Sequence, residues 1–560
     1  MNTNEIIHIN SRYRKQDCDN LDDSHVCIRL KTGKDIKRVI VVYNDPYIRL
    51  SNGEGIFWPS KKMTMKKTGE TFNNLYFSCI VPCESHRLKY YFLISDGYEE
   101  LQYSESGFTN NYAEEDIAMF FVPYISKNNV FQVPSWIEDT IWYQIFPVRF
   151  NQNIKGIQEK LEYLKDLGIN GLYINPIFKA KSYHKYDVID YTKIDDELGT
   201  EEDLLKLCKM AHDLEMKVML DISFTHCSNE NKMFKDVLEK GEESKYWNYF
   251  KVDRNKEGSL IYETFGMMKH MPKFETGNFQ VIDYFCNEVV SKWMKLGIDA
   301  WRLDVANEIN DRFLASLKKI VRNINKESYI VGEIWHFASD WINNESLDGV
   351  TNYAFSRVVN AFVAGSIHDI FTYRSKIDEL IHSYTPRQLK HNMILLDSHD
   401  TPRIRRIYHD DKDKIKLALL LLLTFYGTPS LYYGTERYMD GGPDPDNRRF
   451  MSWNENNEDI QDIYHITRLL IKLRKEHKAL SNDGNFEWIN HDELLIFKRS
   501  NLEEELIIVV NSKEYSIDTW LPVQEDYENI INGDQITDKI HMNRLGFMIL
   551  KRKEWQNEDE

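Results

Sequence analysis

The chain has 560 residues, a formal charge of −17, 42% hydrophobic and 13% aromatic residues. That length predicts more than one domain, and the apolar content excludes a mainly disordered chain. The acidic balance argues against nucleic acid or an anionic membrane as partner, since either calls for a basic surface.

The first fifteen residues, MNTNEIIHINSRYRK, lack the apolar core of a signal peptide, and the longest greasy run, Leu417 to Leu423, is too short to cross a bilayer. A soluble, cytoplasmic protein is expected. The seven cysteines, Cys18, Cys27, Cys79, Cys83, Cys208, Cys227 and Cys286, are scattered with no CxxC pair. That spacing suits reduced thiols rather than a disulfide frame or a zinc knuckle.

From Ser24 to Tyr124 short apolar runs alternate with turn signals: HVCIRLKTGKDIKRVIVVYNDPYI, FNNLYFSCIVP and RLKYYFLISDGYEE. The β-branched run Val39 to Val42 and the turns Asp45-Pro46 and Asp96-Gly97 predict a β-sandwich. Residues 1–133 are assigned to it, as a structural appendage or a carbohydrate-binding module.

After Pro134 the pattern becomes strand, then helix, repeated. IWYQIFPV, NGLYINPIF, MKVMLDISF, IDAWRLDV, YIVGEIW, GVTNYAF, NMILLDS and LYYG read as strands. The stretch IQEKLEYLKDLG has Ile157, Leu161, Leu164 and Leu167 on one helical face and stops at Gly168. Thr200 is placed to cap a helix with Asp203 in its first turn and Leu204, Leu207, Cys208 and Ala211 as the buried stripe. Eight strands alternating with helices over 134–480 predict an α/β fold, a (β/α)8 TIM barrel, with an insertion subdomain at 227–275 after the third strand. Residues 481–560 return to strands and predict a C-terminal antiparallel β domain, with WQNEDE as a solvated tail.

Within this pattern GIDAWRLDVANE, Gly297 to Glu308, is unusual, because a buried strand carries Arg302 and Asp304. Side chains two apart on a strand share a face, so a cation lies beside a carboxylate at a strand's C-terminal end. A structural ion pair explains that much on its own. Further polar clusters at strand ends, Asp221 and His226, Glu333, and His399 and Asp400, point past it, because barrel geometry gathers them at one rim. Two close carboxylates with different proton affinities suit glycoside cleavage, one attacking and the other protonating. Asp304, beside a guanidinium, is expected to stay ionised. Glu333, among Val331, Ile334 and Trp335, is expected to keep its proton through desolvation. A metal site is a weaker reading of the same acids and imidazoles, since there is no local ligand spacing and Arg302 repels a cation.

GIDAWRLDVANE, VGEIWH, LLDSHDTPR and DISFTHC resemble the signature segments of the α-amylase family of glycoside hydrolases. SYHKYDVIDY, MPKF and YYGTERYMDGGPDPDNRRFMSW are similar to its cyclomaltodextrinase, neopullulanase and maltogenic amylase subgroup. The resemblance implies a nucleophile at Asp304, a general acid and base at Glu333, and a transition-state carboxylate at Asp400. It further implies that Arg302 holds Asp304 ionised, that His226 and His399 bond the reacting sugar, and that Tyr186 stacks under it. Asp444 and Arg448 match positions that contact the same sugar. Trp335 is either a platform for the leaving-side sugar or a plain core tryptophan.

Departures from the family pattern are Thr225 for the usual asparagine, Ser223 for valine, and Asp397 where some relatives have glycine. Asp397 is expected to couple to Asp400 and shift its proton affinity. The loop after the first strand is only RFNQNIKGI, so the calcium site of many relatives is expected to be missing and no metal or cofactor to be needed. The expected function is retaining cleavage of α-1,4-glucosidic bonds in cyclodextrins, maltooligosaccharides or pullulan, with some transfer to acceptors. The alternatives are an oligo-1,6-glucosidase or α-glucosidase of the same family and a catalytically inactive carbohydrate-binding protein. The expected partner is an α-glucan oligosaccharide, and a homodimer through the N-terminal domain is plausible for this subgroup.

Overall fold

The structure is a computed structural model that describes residues 1–11, 16–51, 56–110, 119–127, 130–522 and 526–552. The expected tail WQNEDE lies outside the described residues. The chain divides into two compact units: Met1–Gln132 with Phe337–Asn344 and His368–Leu389, and Val133–His336 with Glu345–Ile367 and Lys390–Glu560. The seven cysteines are free thiols. Among the described residues no helix is long and apolar enough to cross a membrane.

The first unit contains two antiparallel sheets. One has four strands, in the order Cys18–Asn20, His25–Gly33, Asn74–Pro82 and Lys66–Glu70. The other is built around Arg38–Asn44 and Leu88–Ser95. Alternate residues turn inward, so Val26, Ile28 and Leu30 share one apolar core with Val39, Val41, Tyr90, Phe92 and Ile94. The helix Ile370–His382, which falls inside the 134–480 stretch, clusters with this unit. Its Asp378 accepts the Glu70 amide at 2.7 Å, and its His382 ring stacks on Tyr76 at 4.1 Å.

The second unit holds the barrel. Its strands are β1 (Trp142–Ile145), β2 (Gly171–Ile174), β3 (Lys217–Ser223), β4 (Ala300–Asp304), β5 (Tyr329–Ile334), β6 (Gly349–Asn352), β7 (Met393–Leu395) and β8 (Thr428–Tyr432). They pair in parallel in that order, and β8 closes on β1 through Trp142 opposite Ser430. Gly168 ends the helix Leu161–Leu167 at φ 98°, a left-handed geometry that glycine adopts at little cost. Thr200 and Asp203 form the full capping box over a helix whose buried residues are Leu204, Leu207, Cys208 and Ala211.

Register places the functional residues. Arg302 on β4 lies opposite Asp221 on β3 and opposite Val331 on β5. Because β-strands alternate faces, Asp304 and Glu333, each two residues further on, come level with one another on the same side as Arg302. Expectation and structure differ at the strand's end: β4 stops at Asp304, and Val305 is left-handed at φ 48°, ψ 48°. A β-branched residue rarely adopts that conformation, and it persists only where surrounding contacts enforce it.

Between β3 and β4 the insertion carries the helix Lys232–Lys240 and a strand pair, Val252–Arg254 with Leu260–Tyr262. A bridge between His226 and Lys273 joins its two ends. Beyond the helix Glu458–Glu476 a six-stranded sheet runs in the order Asn485–Ile489, Leu495–Ser500, Glu505–Val510, Phe547–Arg552, Tyr527–Asn529 and Asp534–Ile536. Its core includes Ile496, Ile507, Val509 and Leu550.

Candidate active site

At the C-terminal mouth of the barrel one guanidinium, 1% exposed, organises four carboxylates. Arg302 Nη1 donates to Asp221 Oδ1 at 2.8 Å and to Asp304 Oδ1 at 2.9 Å. Its Nη2 lies 3.0 Å from Glu333 Oε2 and 4.0 Å from Asp400 Oδ2. Asp221 also accepts from the hydroxyls of Tyr173 (2.9 Å) and Tyr186 (2.7 Å) and from Asn175 Nδ2 (3.2 Å). Arg302 is shared among more carboxylates than it can neutralise, which favours a proton within the cluster.

Burial raises the Asp304 carboxyl well above the carboxylate range, and repulsion from Glu333 adds to this while Arg302 opposes it. Burial also pushes Glu333 upward, but Arg302, the Trp335 indole and the Val305 amide outweigh it and leave Glu333 below its ordinary value. These directions run opposite to the expectation that Asp304 is ionised and Glu333 protonated. The physical reason is that Arg302 is shared between the two acids rather than reserved for Asp304. Glu333 alone also receives two neutral donors: Val305 N at 3.0 Å on Oε2 and Trp335 Nε1 at 2.9 Å on Oε1.

Asp400 is raised to about 7 by burial and by the charges of Glu333 and Asp221, against Arg302 and Arg448. Asp397 is also raised by burial. Its carboxylate accepts from Thr435 Oγ1 at 3.1 Å and from the Ile404 amide at 3.1 Å, so its hydrogen bonds run into the protein behind the loop.

Both imidazoles are neutral. Burial lowers His226 to about 3 and holds His399 well below its ordinary value. His399 Nδ1 meets Gln144 Nε2 at 2.6 Å, and its Nε2 lies 2.8 Å from the Tyr186 hydroxyl and 3.1 Å from Asp400 Oδ2. A proton on Nε2 satisfies all three contacts. His226 Nε2 lies 3.9 Å from Asp304 Oδ2, and its ring stacks on Phe265 from the insertion at 4.5 Å. The two departures beside it are used locally: Thr225 Oγ1 bonds His226 Nδ1 at 2.9 Å and Ser223 Oγ lies 3.2 Å from the same atom.

Tyr186 is 8% exposed, with its ring parallel to His399 at 5.6 Å between centroids. Arg448 Nη2 reaches Asp400 Oδ1 at 3.2 Å, its Nε donates to the His399 carbonyl at 2.8 Å, and its Nη1 lies 3.1 Å from Asp444 Oδ1. Asp444 is half exposed at the rim. Trp335 is 43% exposed and stacked on Tyr353 at 4.0 Å, so it is not a core tryptophan. The expected residues therefore converge, with Asp444 and Trp335 at the edges of the cluster.

Several contributors escape sequence reasoning. Gln144 and Asn175 are buried polar residues on or just past barrel strands, the same signal that marks Arg302. Asn447 Nδ2 donates to the carbonyls of His399 (2.7 Å) and Thr401 (2.9 Å), which holds the loop bearing Asp400. Val305 acts through its backbone amide. A main-chain contribution leaves no trace in residue type.

A closed parallel barrel with grouped acids at its C-terminal rim is the frame of a carbohydrate-cleaving enzyme. Residues 144–463 match the alpha amylase catalytic domain and residues 1–126 the alpha amylase N-terminal ig-like domain. The chain belongs to the alpha-amylase family of glycoside hydrolases. Within it the chain is 36% identical to a maltogenic alpha-amylase of Bacillus acidopullulyticus, across 91% of this chain and 92% of that protein. It is 33% identical to a cyclomaltodextrinase of Geobacillus thermopakistaniensis, across 95% and 97%. A solved cyclomaltodextrinase structure superposes with a TM-score of 0.91 at 29% identity, covering 99% of this chain and 100% of that one.

Proposed function

We propose that the protein hydrolyses α-1,4-glucosidic bonds in cyclodextrins, maltooligosaccharides or pullulan with retention of configuration, and transfers some glycosyl units to sugar acceptors. The observation that carries this reading is the shared guanidinium. Asp304 and Glu333 sit on adjacent nitrogens of Arg302. Direct attack calls for carboxyls about 5–5.5 Å apart, closer than the gap that admits a water, and a guanidinium held between both acids supports that arrangement.

In this reading the Asp304 carboxylate attacks the anomeric carbon while Glu333 gives its proton to the departing glycosidic oxygen. The carbon–oxygen bond breaks and a glycosyl ester forms on Asp304. Glu333 then takes a proton from water, whose oxygen displaces the ester. Positive charge developing at the anomeric carbon favours ionised Asp304, so the bound substrate itself sets the productive proton arrangement. Asp400, His399 and His226 bond the hydroxyls of the reacting ring, and Trp335 carries the leaving-side sugar.

Asp304→Asn, assayed by reducing sugar from maltotriose, is expected to lose about 10⁴-fold or more in kcat with its folded spectrum unchanged. Equal rates for variant and wild type exclude the nucleophile role. Relatives named cyclomaltodextrinase and maltogenic alpha-amylase favour this substrate class over α-1,6 bonds. Faster cleavage of isomaltose than of cyclodextrin reverses that preference.

The same reading includes calcium independence. The segment after β1 is helical at Pro147–Asn151, and its asparagines are already engaged. Asn151 Nδ2 donates to the Gly156 carbonyl at 3.0 Å, and the Asn153 side chain accepts the Gly156 amide at 3.0 Å. Chelator-sensitive activity restored by calcium contradicts it. A cytoplasmic location agrees with seven free thiols. A homodimer through the N-terminal unit agrees with its exposed Tyr47, Ile48 and Leu50. A monomer mass in sedimentation rules the dimer out.

A further inference from the structure

Tyr186 comes from the loop after β2, and the residue just before it carries two costs at one position. Lys185 is left-handed at φ 63°, a conformation that glycine takes freely and a lysine does not. It is also only 3% exposed, and lysine is almost never buried unless it is paired. Its partners are two acids: Nζ lies 3.0 Å from Asp195 Oδ2 and 3.3 Å from Glu197 Oε2. Asp195 is buried as well, whereas Glu197 is mostly exposed, so the shielded pair is the one with Asp195.

Asp195 is fixed independently of Lys185. Its Oδ2 accepts the Ala180 amide at 3.0 Å, its Oδ1 accepts the Glu197 amide at 3.1 Å, and its own amide donates to the Ile177 carbonyl at 2.9 Å. It thereby ties the outer ends of the strand pair Phe178–Ala180 and Val188–Ile194, from which the loop carrying Lys185 and Tyr186 projects. The neck of that loop is closed by Asp187, whose Oδ1 accepts from the Ser182 amide at 3.2 Å and from the Ser182 hydroxyl. A closed neck still leaves the backbone free to rotate at the apex. An amine held on Asp195 removes that freedom and fixes the direction in which the chain enters Tyr186. The far end of Tyr186 is held separately, its hydroxyl 2.7 Å from Asp221 Oδ2 and 2.8 Å from His399 Nε2. A ring held at both ends presents one plane to a sugar.

We propose that Lys185 is a positioning residue, whose ion pair with Asp195 holds the strained turn that sets the plane of the Tyr186 ring under the reacting sugar. This rests on the hydrolase reading above, in which Tyr186 is the stacking face. The left-handed backbone and the buried amine then serve one end. A glycine at this position relieves the strain but gives up the grip.

Reducing sugar released from maltotriose reads the effect, with the melting temperature followed alongside. Lys185→Met keeps the length of the side chain and removes the ion pair. It is expected to lower kcat about 10- to 100-fold with a smaller change in KM, the scale of a misplaced contact that matters most in the transition state. Lys185→Gly is expected to lose as much kcat although it adopts the turn without strain. Wild-type kcat in the glycine variant shows that the turn alone places the ring, and overturns the proposal. In a Tyr186→Ala background Lys185→Met is expected to cost less than about twofold more, because residues that act through one another are not additive. An undiminished loss in that background also overturns it, since Lys185 then acts through other contacts. If Lys185→Met does not fold, Asp195→Asn weakens the same pair and is expected to lower kcat about three- to tenfold, again only when Tyr186 is present. Wild-type kcat in that variant counts against the proposal in the same way. A wild-type enzyme that releases no reducing sugar from maltotriose fails the hydrolase reading instead.

Discussion

Two sets of buried arginines in the catalytic unit face opposite kinds of partner. Arg302 is surrounded by carboxylates, and their charges hold it well above its ordinary value despite burial. Arg474 and Arg499 are hydrogen-bonded to backbone carbonyls. Arg474 donates to Leu423, Phe425 and Gly427 at 2.8–2.9 Å, and Arg499 to Thr424 and Ser481, all near the C-terminal end of the helix Lys412–Thr424. Burial lowers them to about 9 and about 10, and repulsion from Arg499 adds to the fall at Arg474. Carbonyl dipoles at a helix C-terminus accommodate a cation stably and inertly. Carboxylates in excess of their cation leave protons in play, which acid–base chemistry requires.

The largest expected effect breaks this contrast directly. Arg302→Met is expected to cost about 10³-fold or more in kcat, because both acids lose their common anchor. Arg499→Met is expected to destabilise the fold by about 2–4 kcal/mol with kcat of the folded enzyme little changed, since it leaves several buried carbonyls unpaired. Denaturant midpoints and steady-state kinetics on both variants check the pair, and a stability loss confined to Arg302→Met inverts the assignment.

Next in size is Asn447→Leu. Removing the amide that grips the His399 and Thr401 carbonyls is expected to lower kcat by about 10- to 100-fold with a smaller change in KM, because Asp400 drifts from its place. Asn447→Gln tests rescue, and a shift of KM alone rejects the positioning role.

The smallest effect sharpens the comparison through pH. Asp400 is raised to about 7, so its protonated form suits the folded site. Its favourable contribution is present below the unfolded value near 4 and is lost as pH rises through about 7. Asp400→Asn is therefore expected to raise the melting temperature at pH 8 relative to wild type and to leave it nearly unchanged at pH 4.5. A variant equally stabilised at both pH values contradicts the linkage.

Much of the site was legible because strand and helix periodicities are local. The capping box at Thr200 and the stop at Gly168 follow from neighbouring residues, and charged residues inside apolar strands stand out against the pattern. The proton arrangement was misjudged because it depends on how one guanidinium is divided. Sequence adjacency suggested that Arg302 belongs to Asp304. Register instead sets it opposite Asp221 and Val331, with Glu333 two residues further along its strand, and the fold around Val305 turns an amide onto Glu333. The helix Ile370–His382, read by chain order as part of the barrel stretch, clusters with the N-terminal sheets for a similar reason: its polar contacts there join residues hundreds of positions apart.

By itself the sequence determined the alternation of strands and helices, the presence of acids at strand ends and the family to which the chain belongs, since each rests on residue type and short spacing. Tertiary structure alone decided which acids share a cation and which neutral donors reach each carboxyl, because these depend on distances between groups that the chain brings together only when the barrel closes.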